Sequence, residues 1–579
     1  MEFFERVVTT LNGWIWSLGI TVGGETVPFV IIALLGTGVF LTLRLGFIQL
    51  RRLGHGFAVT SGKYDDPSEP GDVSHFQALT TALSATVGIG NIAGVAIAIH
   101  WGGPGALFWM WVTAFLGMAV KFSEVTLAQH YREIDPGASK RQGSVSGGPM
   151  YYIEKGLGLK WKPLAVFFAL MLGFTAFLTG NAVQANTVAD SMQTALGMPT
   201  WVTGLLTATV VAAVVLGGIT RIGRVTSILA PLMAAVYVLG ALVIIILHFE
   251  WFLPAVGTIF SQAFNPTAGV AGTGIGAILV TMMWGVRRGL FSNEAGQGSA
   301  PIAHAAAQTD EPVSEGVVAL LEPFIDTIVI CTMTGLVIVM TGVWNERIPT
   351  QITLTGGDLS YITRSAEGQR QVLSAPNEIR IVGGYLADST PGAARVAWHE
   401  AEVGQLFVDQ AQTQPFTGRI VPARAGIAGA AMGDDGTSAG SLYANAAESG
   451  APLTAFGFRR GLPGEWGDWI VLISVLLFAV STAISWSYYG DRCAKYLFGP
   501  GAVLPYKVVY IGMHFFGAVV SLQVIWDLGD IALGIVILPN LLALLLLSGK
   551  VRELTNSYFQ RKPWVENAEV HARLKAGRR

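Results

Sequence analysis

Ser84-Ala-Thr-Val-Gly-Ile-Gly-Asn-Ile-Ala-Gly94 and Trp284-Gly-Val-Arg-Arg-Gly-Leu-Phe-Ser-Asn-Glu-Ala-Gly-Gln-Gly298 are two glycine-broken stretches, each set in an otherwise apolar segment of membrane length. Glycine is the poorest helix former after proline, and a lipid-facing helix gains nothing by exposing its backbone. In hydrocarbon, an unwound backbone persists only where protein or a water-filled cavity satisfies its amides and carbonyls. Two such breaks about two hundred residues apart, in corresponding places of two halves, point to the central binding site of a transporter.

The rest of the chain agrees with a membrane setting. Of 579 residues, 52% are hydrophobic and 13% charged, and the mean hydropathy is +0.52. A soluble domain carries nearer a quarter charged residues. A net charge of -2 gives no support to nucleic-acid binding. The two cysteines, Cys331 and Cys493, lie in or beside apolar segments and read as small core residues, with no disulfide or Cys/His metal spacing available. The opening Met-Glu-Phe-Phe-Glu-Arg lacks the basic start of a signal peptide; with Trp14 and Trp16, residues 1–26 are expected to form an interfacial helix.

Apolar stretches near 27–45, 78–100, 105–131, 163–197, 200–218, 225–248, 268–304, 316–343, 467–490, 503–523 and 527–548 make about eleven candidate spans. They fall in blocks 27–343 and 466–549, before a tail at 550–579. The 268–304 segment is too long and glycine-rich for one straight helix. Lys and Arg cluster after odd-numbered spans (Arg51, Arg52, Arg132, Arg221, Arg492, Lys550), except the seventh, whose exit Gln308-Thr-Asp-Glu-Pro312 is acidic; this alternation places the N-terminus outside and the C-terminus inside. Residues 344–465 are polar and turn-rich, with β-type runs such as Gln351-Ile-Thr-Leu-Thr355 and Ile379-Arg-Ile-Val382, and read as an extracytoplasmic insertion with some β structure.

Unwound helix offers two kinds of group at the bilayer midplane. A half-helix N-terminus suits a carboxylate; unwound carbonyls and a half-helix C-terminus suit an ammonium group or Na⁺. A zwitterionic amino acid uses both. Thr86, Gly88, Gly90 and Asn91 supply that pattern, against the alternative that the glycines only pack helices closely. In the second stretch, Arg287 or Arg288 with Glu294 reads as an ion pair or gate, or the arginines snorkel to the interface; Asn293 reads as functional. Lys121 and Glu124, at i and i+3, read as a structural pair. Asn181, Gln184 and Asn186 sit in an apolar helix, and Ser481 and Thr482 lie mid-span with Trp486 one turn on. Ser481 and Thr482 with the carbonyls of Ser84 and Val87 are candidate Na⁺ ligands. His304 shows no evident partner, and His55, His75 and His100 lie near interfaces, so an enzyme reading finds no nucleophile–base pair.

Together, Ala82-Leu-Ser-Ala-Thr-Val-Gly-Ile-Gly-Asn-Ile-Ala-Gly94, Gly102-Gly-Pro-Gly-Ala-Leu-Phe-Trp-Met-Trp111, Gly147-Gly-Pro-Met-Tyr-Tyr152, Arg288 through His304 and Trp486-Ser-Tyr-Tyr-Gly490 resemble the alanine or glycine:cation symporter family of bacteria and archaea. The resemblance covers all spans and fails over the insertion. It implies an all-α polytopic protein with a leucine-transporter-type five-plus-five inverted repeat and one extra N-terminal helix. It also implies a prokaryotic cytoplasmic membrane and uptake of a small neutral amino acid with Na⁺ or H⁺. No cofactor is implied beyond the co-transported ion. By the same resemblance, Val87 to Asn91 form the substrate and sodium turn, Thr482 a sodium ligand, and Gln184, Trp284, Gly285 and Trp486 part of the substrate site. A transport-inactive amino-acid sensor is the other reading; it binds without exchanging substrate. Neither the preferred amino acid nor the oligomeric state is legible.

Overall fold

The computed structural model describes residues 18–22, 25–66, 68–135, 144–266, 275–354, 359–364, 370–373, 376–388, 390, 392–398, 401–422, 429–520 and 522–576. Residues 1–17, most of the expected interfacial helix, lie outside that set. Over 19–22 and 25–28 the chain is not helical: Gly19–Val22 pairs antiparallel with Glu25–Pro28. Ile20-Thr21-Val22 and Thr26-Val27 are β-branched runs, which favour a strand over a helix.

Helix α1 (Phe29–Arg44) turns by 78° into α2 (Ile48–Thr60). Helix α3 (His75–Thr86) starts at a capping box in which the Ser74 hydroxyl accepts from the Gln77 amide and the Gln77 side chain accepts from Ser74. It stops at Val87, and α4 (Gly90–Gly102) leaves at 53° to it. The Gly103 turn, with φ of +70°, returns the chain into α5 (Ala106–His130). Next come α6 (Pro149–Leu157), with proline in its first turn, and α7 (Leu159–Leu196), interrupted by a π-helical turn at Leu178–Ala182. Then follow α8 (Thr200–Val215), α9 (Gly218–Leu247) and α10 (Phe252–Phe264).

The second long segment is α11 (Ile275–Asn293), a break at 294–299, and the short α12 (Ala300–His304). Its first residues, 268–274, lie outside the described set. Helix α13 (Pro312–Met340) carries a π-helical stretch at Phe324–Cys331. After the insertion come α14 (Gly450–Gly461), α15 (Trp466–Phe498), α16 (Val503–Val519), α17 (Leu522–Arg561) and α18 (Trp564–Ala576).

Among the described residues, seven helices are long and apolar enough to cross a membrane, or nine if each bent pair is one span. The expectation of about eleven added Thr200–Val215, 16 residues long, and the interrupted segment opened by Ile275–Asn293. Ile228, Leu239, Ile246, Leu205 and Val508 are exposed, large and apolar, whereas Lys121, Glu124, Glu294, Glu315, Glu322 and Asp326 are buried. That inversion of the soluble pattern is what a hydrocarbon solvent selects.

The insertion holds antiparallel strands between Ile348 and Ala446, around a separate apolar core that includes Ile352, Ile379, Trp398, Ile420 and Leu442. Its first and last strands, Ile348–Thr353 and Ser441–Ala446, pair with each other, so the chain leaves and returns at one place. Residues 450–461, expected within the insertion, belong instead to the helical body: α14 is helical, and its Thr454 hydroxyl donates to the Ile92 carbonyl at 2.9 Å.

Candidate functional site

The first break is built by Gly88 and Asn91. Val87 leaves helical geometry with ψ of 87°, and the Gly88 amide donates to Asn91 Oδ1 at 2.9 Å. A Cβ on Gly88 would stand 2.7 Å from Thr482 Oγ1 and 3.4 Å from Gln184 Oε1. Gly88 therefore lies where α15 and α7 both present polar groups, and no side chain fits there. Gln184 follows the π-helical turn of α7, a feature common at functional sites. Its Nε2 donates to the Thr179 carbonyl at 3.2 Å, while its Oε1 is buried with no hydrogen-bond partner among the described residues. A buried acceptor of this kind is costly unless something completes it.

Beside it, the Thr482 hydroxyl donates to the Ser84 carbonyl at 3.1 Å, and Ser481 Oγ lies 3.4 Å from the same oxygen. Thus the Ser84 carbonyl and two hydroxyls, hard oxygen groups suited to Na⁺, converge where α3 ends. Ser481 also donates to the Phe478 carbonyl at 2.9 Å. Thr86 is turned the other way, 3.3 Å from the carbonyls of Ala82 and Leu83 in its own helix.

At the second break, Glu294, Gly296 and Gly298 have φ of +54°, +89° and +78°. Glycine takes such angles freely, but Glu294 does so at a cost and is held by its bonds. Trp486 Nε1 donates to Glu294 Oε1 at 3.0 Å, and Ser299 Oγ donates to Glu294 Oε2. Asn293 closes α11: its Oδ1 accepts from the Ala295 amide at 3.0 Å, and its Nδ2 donates to Thr327 Oγ1 at 3.2 Å. Asn540 Nδ2 donates to the Gly296 carbonyl at 2.9 Å.

Several expected partnerships fall elsewhere. Asn91, expected with the Na⁺ group at Thr482, turns to a second polar centre: its Nδ2 donates to Asp326 Oδ1 at 2.6 Å and lies 3.0 Å from Ser292 Oγ. Ser292 and Thr327 donate to Asp326 Oδ2 at 2.6 and 2.7 Å. Glu294, at φ of +54° where α11 has ended, bonds Trp486 and Ser299 rather than Arg287 or Arg288. Lys121 pairs with Glu322 at 3.0 Å, not with Glu124, which accepts from Asn540; each finds its partner across a helix interface rather than along α5. His304 is not alone but lies between Glu315 and Glu322.

Trp284 and Gly285 lie inside α11, not in the unwound part. Trp284 stacks on Trp101 with centroids 5.5 Å apart and planes at 14°, so one indole from α4 meets one from α11. Gly285 permits close packing: a Cβ there would stand 2.4 Å from the Ala106 carbonyl. Gly90 faces Phe291, with a Cβ 3.1 Å from its ring. Trp486 is buried and covers Gly180, where a Cβ would stand 2.2 Å from its ring. Gln184, Gly88, Ser84, Ser481 and Thr482 are thus brought together, Trp486 joins the second break, and Trp284 and Gly285 lie apart.

Reading the sequence missed Asp326 and Ser292. The available signal was an acid inside the apolar span Phe324-Ile-Asp-Thr-Ile-Val-Ile-Cys331, since an ionisable residue at such a place marks a functional candidate.

The profile of the sodium:alanine symporter family matches residues 1–365 and 396–572, leaving out part of the insertion. The chain is 39% identical to the sodium/alanine symporter AgcS of Methanococcus maripaludis, over 98% of this chain and 100% of that protein. It is 36% identical to an uncharacterized transporter of Haemophilus influenzae over 96% of each chain. A putative sodium/proton-dependent alanine carrier protein of Bacillus subtilis, YrbD, is 31% identical over 93% of this chain and 90% of its own.

Proposed function

Because the chain belongs to the sodium:alanine symporter family, we propose that it imports a small neutral amino acid, alanine or glycine, together with Na⁺ by alternating access. It is a multi-pass membrane transporter and not an enzyme. The substrate and the ion are the further step, and one observation carries it: Gly88 faces the Thr482 hydroxyl and the unpartnered Gln184 Oε1, one turn from a Ser84 carbonyl shared with Ser481 and Thr482.

On this reading, Na⁺ takes the Ser84 and Val87 carbonyls with the hydroxyls of Ser481 and Thr482. The amino acid lies along the breaks, against Gly88, Gly90 and Gln184, with its side chain limited by Trp486. Asn293 holds the second break in shape. Trp284, stacked on Trp101, closes the outer side. Bound Na⁺ fixes the first break against α15 and so raises affinity for the amino acid, a coupling that runs equally in reverse. The spans form a five-plus-five inverted repeat behind one extra helix, α1. The N-terminus and insertion lie outside, and the C-terminus inside, a prokaryotic cytoplasmic membrane.

Proton coupling is the second reading, favoured by Asp326, whose hydrogen-bond partners Asn91, Ser292 and Thr327 are all neutral. Uptake of labelled alanine into proteoliposomes decides between them. Accumulation that follows an imposed Na⁺ gradient at equal pH is expected; accumulation that follows only a pH gradient overturns the Na⁺ assignment. Binding without counterflow overturns transport itself.

A further inference from the structure

A titratable side chain with no part in the mechanism above stands deep in the apolar interior. His514 of α16 is 1% exposed, and an ionisable group so placed marks a functional candidate whose partners identify its role. Both ring nitrogens are engaged. Nδ1 lies 2.7 Å from Asn181 Oδ1 of α7, and Nε2 lies 3.1 Å from the Thr207 hydroxyl of α8. Asn181 also donates from Nδ2 to the Tyr510 carbonyl at 2.8 Å, one turn before His514 on α16. One amide side chain thus grips one turn of α16 at two points.

These bonds have a fixed direction. The Tyr510 carbonyl can only accept, so Nδ2 of Asn181 faces it and Oδ1 is left to accept from His514. His514 Nδ1 therefore carries a hydrogen.

The segment that Asn181 belongs to is the π-helical turn Leu178–Ala182. Such a turn holds one residue more than an α-helical one, so relaxing it would rotate whatever follows by roughly 100° about the helix axis. Gln184 follows it, three residues after Asn181, and presents its unpartnered Oε1 beside Gly88. Gly180, inside the turn, lies against the Trp486 ring. Tyr510 ties the same turn to α15: its hydroxyl donates to the Ala483 carbonyl at 2.8 Å and lies 3.3 Å from the Gly180 carbonyl. The two backbones meet closely here, since a Cβ on Gly517 of α16 would stand 2.6 Å from Ala182 Cα. Gln184 and Trp486, two walls of the candidate substrate site, are both set by a turn that α16 holds.

We propose that His514, acting through Asn181, is a positioning residue that keeps this π-helical turn formed, and so sets the spacing of Gln184 and Trp486 and the largest side chain the site accepts. The inference rests on the amino-acid reading above and extends it to the origin of size selectivity.

Two amides separate positioning from mere adhesion between helices. Asn carries its amide nitrogen two bonds beyond Cβ, as His carries Nδ1; Gln carries its nitrogen three bonds out, as His carries Nε2. In the full chain, competition of unlabelled glycine, alanine, 2-aminobutyrate and norvaline against labelled alanine reads the size selectivity. His514→Asn should keep the parent's ratios. His514→Gln should weaken discrimination between alanine and 2-aminobutyrate on the order of ten-fold, the scale of one methylene, with the Na⁺ concentration for half-maximal alanine binding unchanged. Asn181→Leu should reproduce that loss, and combining it with His514→Gln should add nothing, because both act through one bond. Unchanged discrimination in His514→Gln overturns the proposal. So does a loss of selectivity matched by an equal loss of Na⁺ affinity, the mark of general loosening. Nitrogen-15 NMR of the unsubstituted protein tests the same bond without a variant: a His514 ring with no hydrogen on Nδ1 overturns the proposal. A parent that binds none of the series strikes the amino-acid reading itself, whereas a selective parent matched by His514→Gln strikes this inference alone.

Discussion

The indole N–H of Trp486 donates to the carboxylate of Glu294 at 3.0 Å, joining α15 to a residue whose φ of +54° marks the start of the second break. The pair lies 192 positions apart and is buried on both sides. Glu294 holds an unfavourable backbone conformation because its two carboxylate oxygens are each engaged, one by Trp486 and one by Ser299. The unwound segment is therefore shaped in part by a donor on another helix.

Trp486→Phe keeps the ring over Gly180 but removes that donor. Leaving a buried acceptor unpaired costs about 1–3 kcal/mol. Alanine affinity should fall on the order of ten-fold, read as a shift of the binding isotherm. An unchanged isotherm would show that the bond does not shape the substrate site.

Gly88→Ala should abolish uptake while leaving the protein in the membrane, because its methyl would stand 2.7 Å from Thr482 Oγ1. Gly54→Ala, where a Cβ meets nothing within 4 Å, is the matched control and should transport normally. Uptake by Gly88→Ala equal to that control would remove Gly88 from the pocket.

Thr482→Val preserves shape and deletes the hydroxyl that meets the Ser84 carbonyl. The Na⁺ concentration for half-maximal activation should rise on the order of ten-fold, within the usual range of ion–substrate coupling. A Na⁺ activation curve that superimposes on the parent's would exclude the ion from this place.

Asp326→Asn puts an N–H₂ group where the Ser292 and Thr327 hydroxyls, or Asn91, already donate. Uptake should drop under both Na⁺ and pH gradients, with apparent stability lowered by about 1–3 kcal/mol. Parental uptake rates in the variant would make Asp326 a bystander.

Glu69 lies half-buried in the loop before α3, bonded to Asn567 of α18 at 3.2 Å. Burial raises its pKa from 4.5 to about 7, partly offset by the Asn567 bond. Docked, the carboxyl holds a proton that it would release when undocked, so the contribution to docking is full below pH 4.5 and fades as pH rises toward about 7. The protection factors of α18 amides, intrinsic exchange rates divided by the observed rates at each pH, should thus fall between pH 5 and pH 8, and Glu69→Gln should flatten that change. A pH-independent α18 in the parent protein would refute the link.

Much of this molecule was legible before its coordinates. Gly88 and Gly90 announced a break that falls at 87–89, and Gly296 with Gly298 marked the other, although Trp284 and Gly285 proved to be ordinary helix. The β-type run Ile379–Val382 is a strand, and Gln351–Thr355 overlaps the strand Ile348–Thr353, its last residue lying outside the described set. Partners were a different matter. Lys121 and Glu124, one turn apart, looked like a pair, yet Lys121 bonds Glu322 and Glu124 bonds Asn540.

By itself, the sequence determined a membrane-spanning helical chain and the places where its helices must give way. Those properties follow from local composition and from glycine's backbone freedom, which act over one or two turns. Only the tertiary structure decided that Asn91 faces Asp326 rather than Thr482, or that His75 and His304 converge on Glu315. Hydrogen bonds and ion pairs act across about 3 Å of space, and residues 235 or 240 positions apart come that close only once helix packing has set their faces against each other.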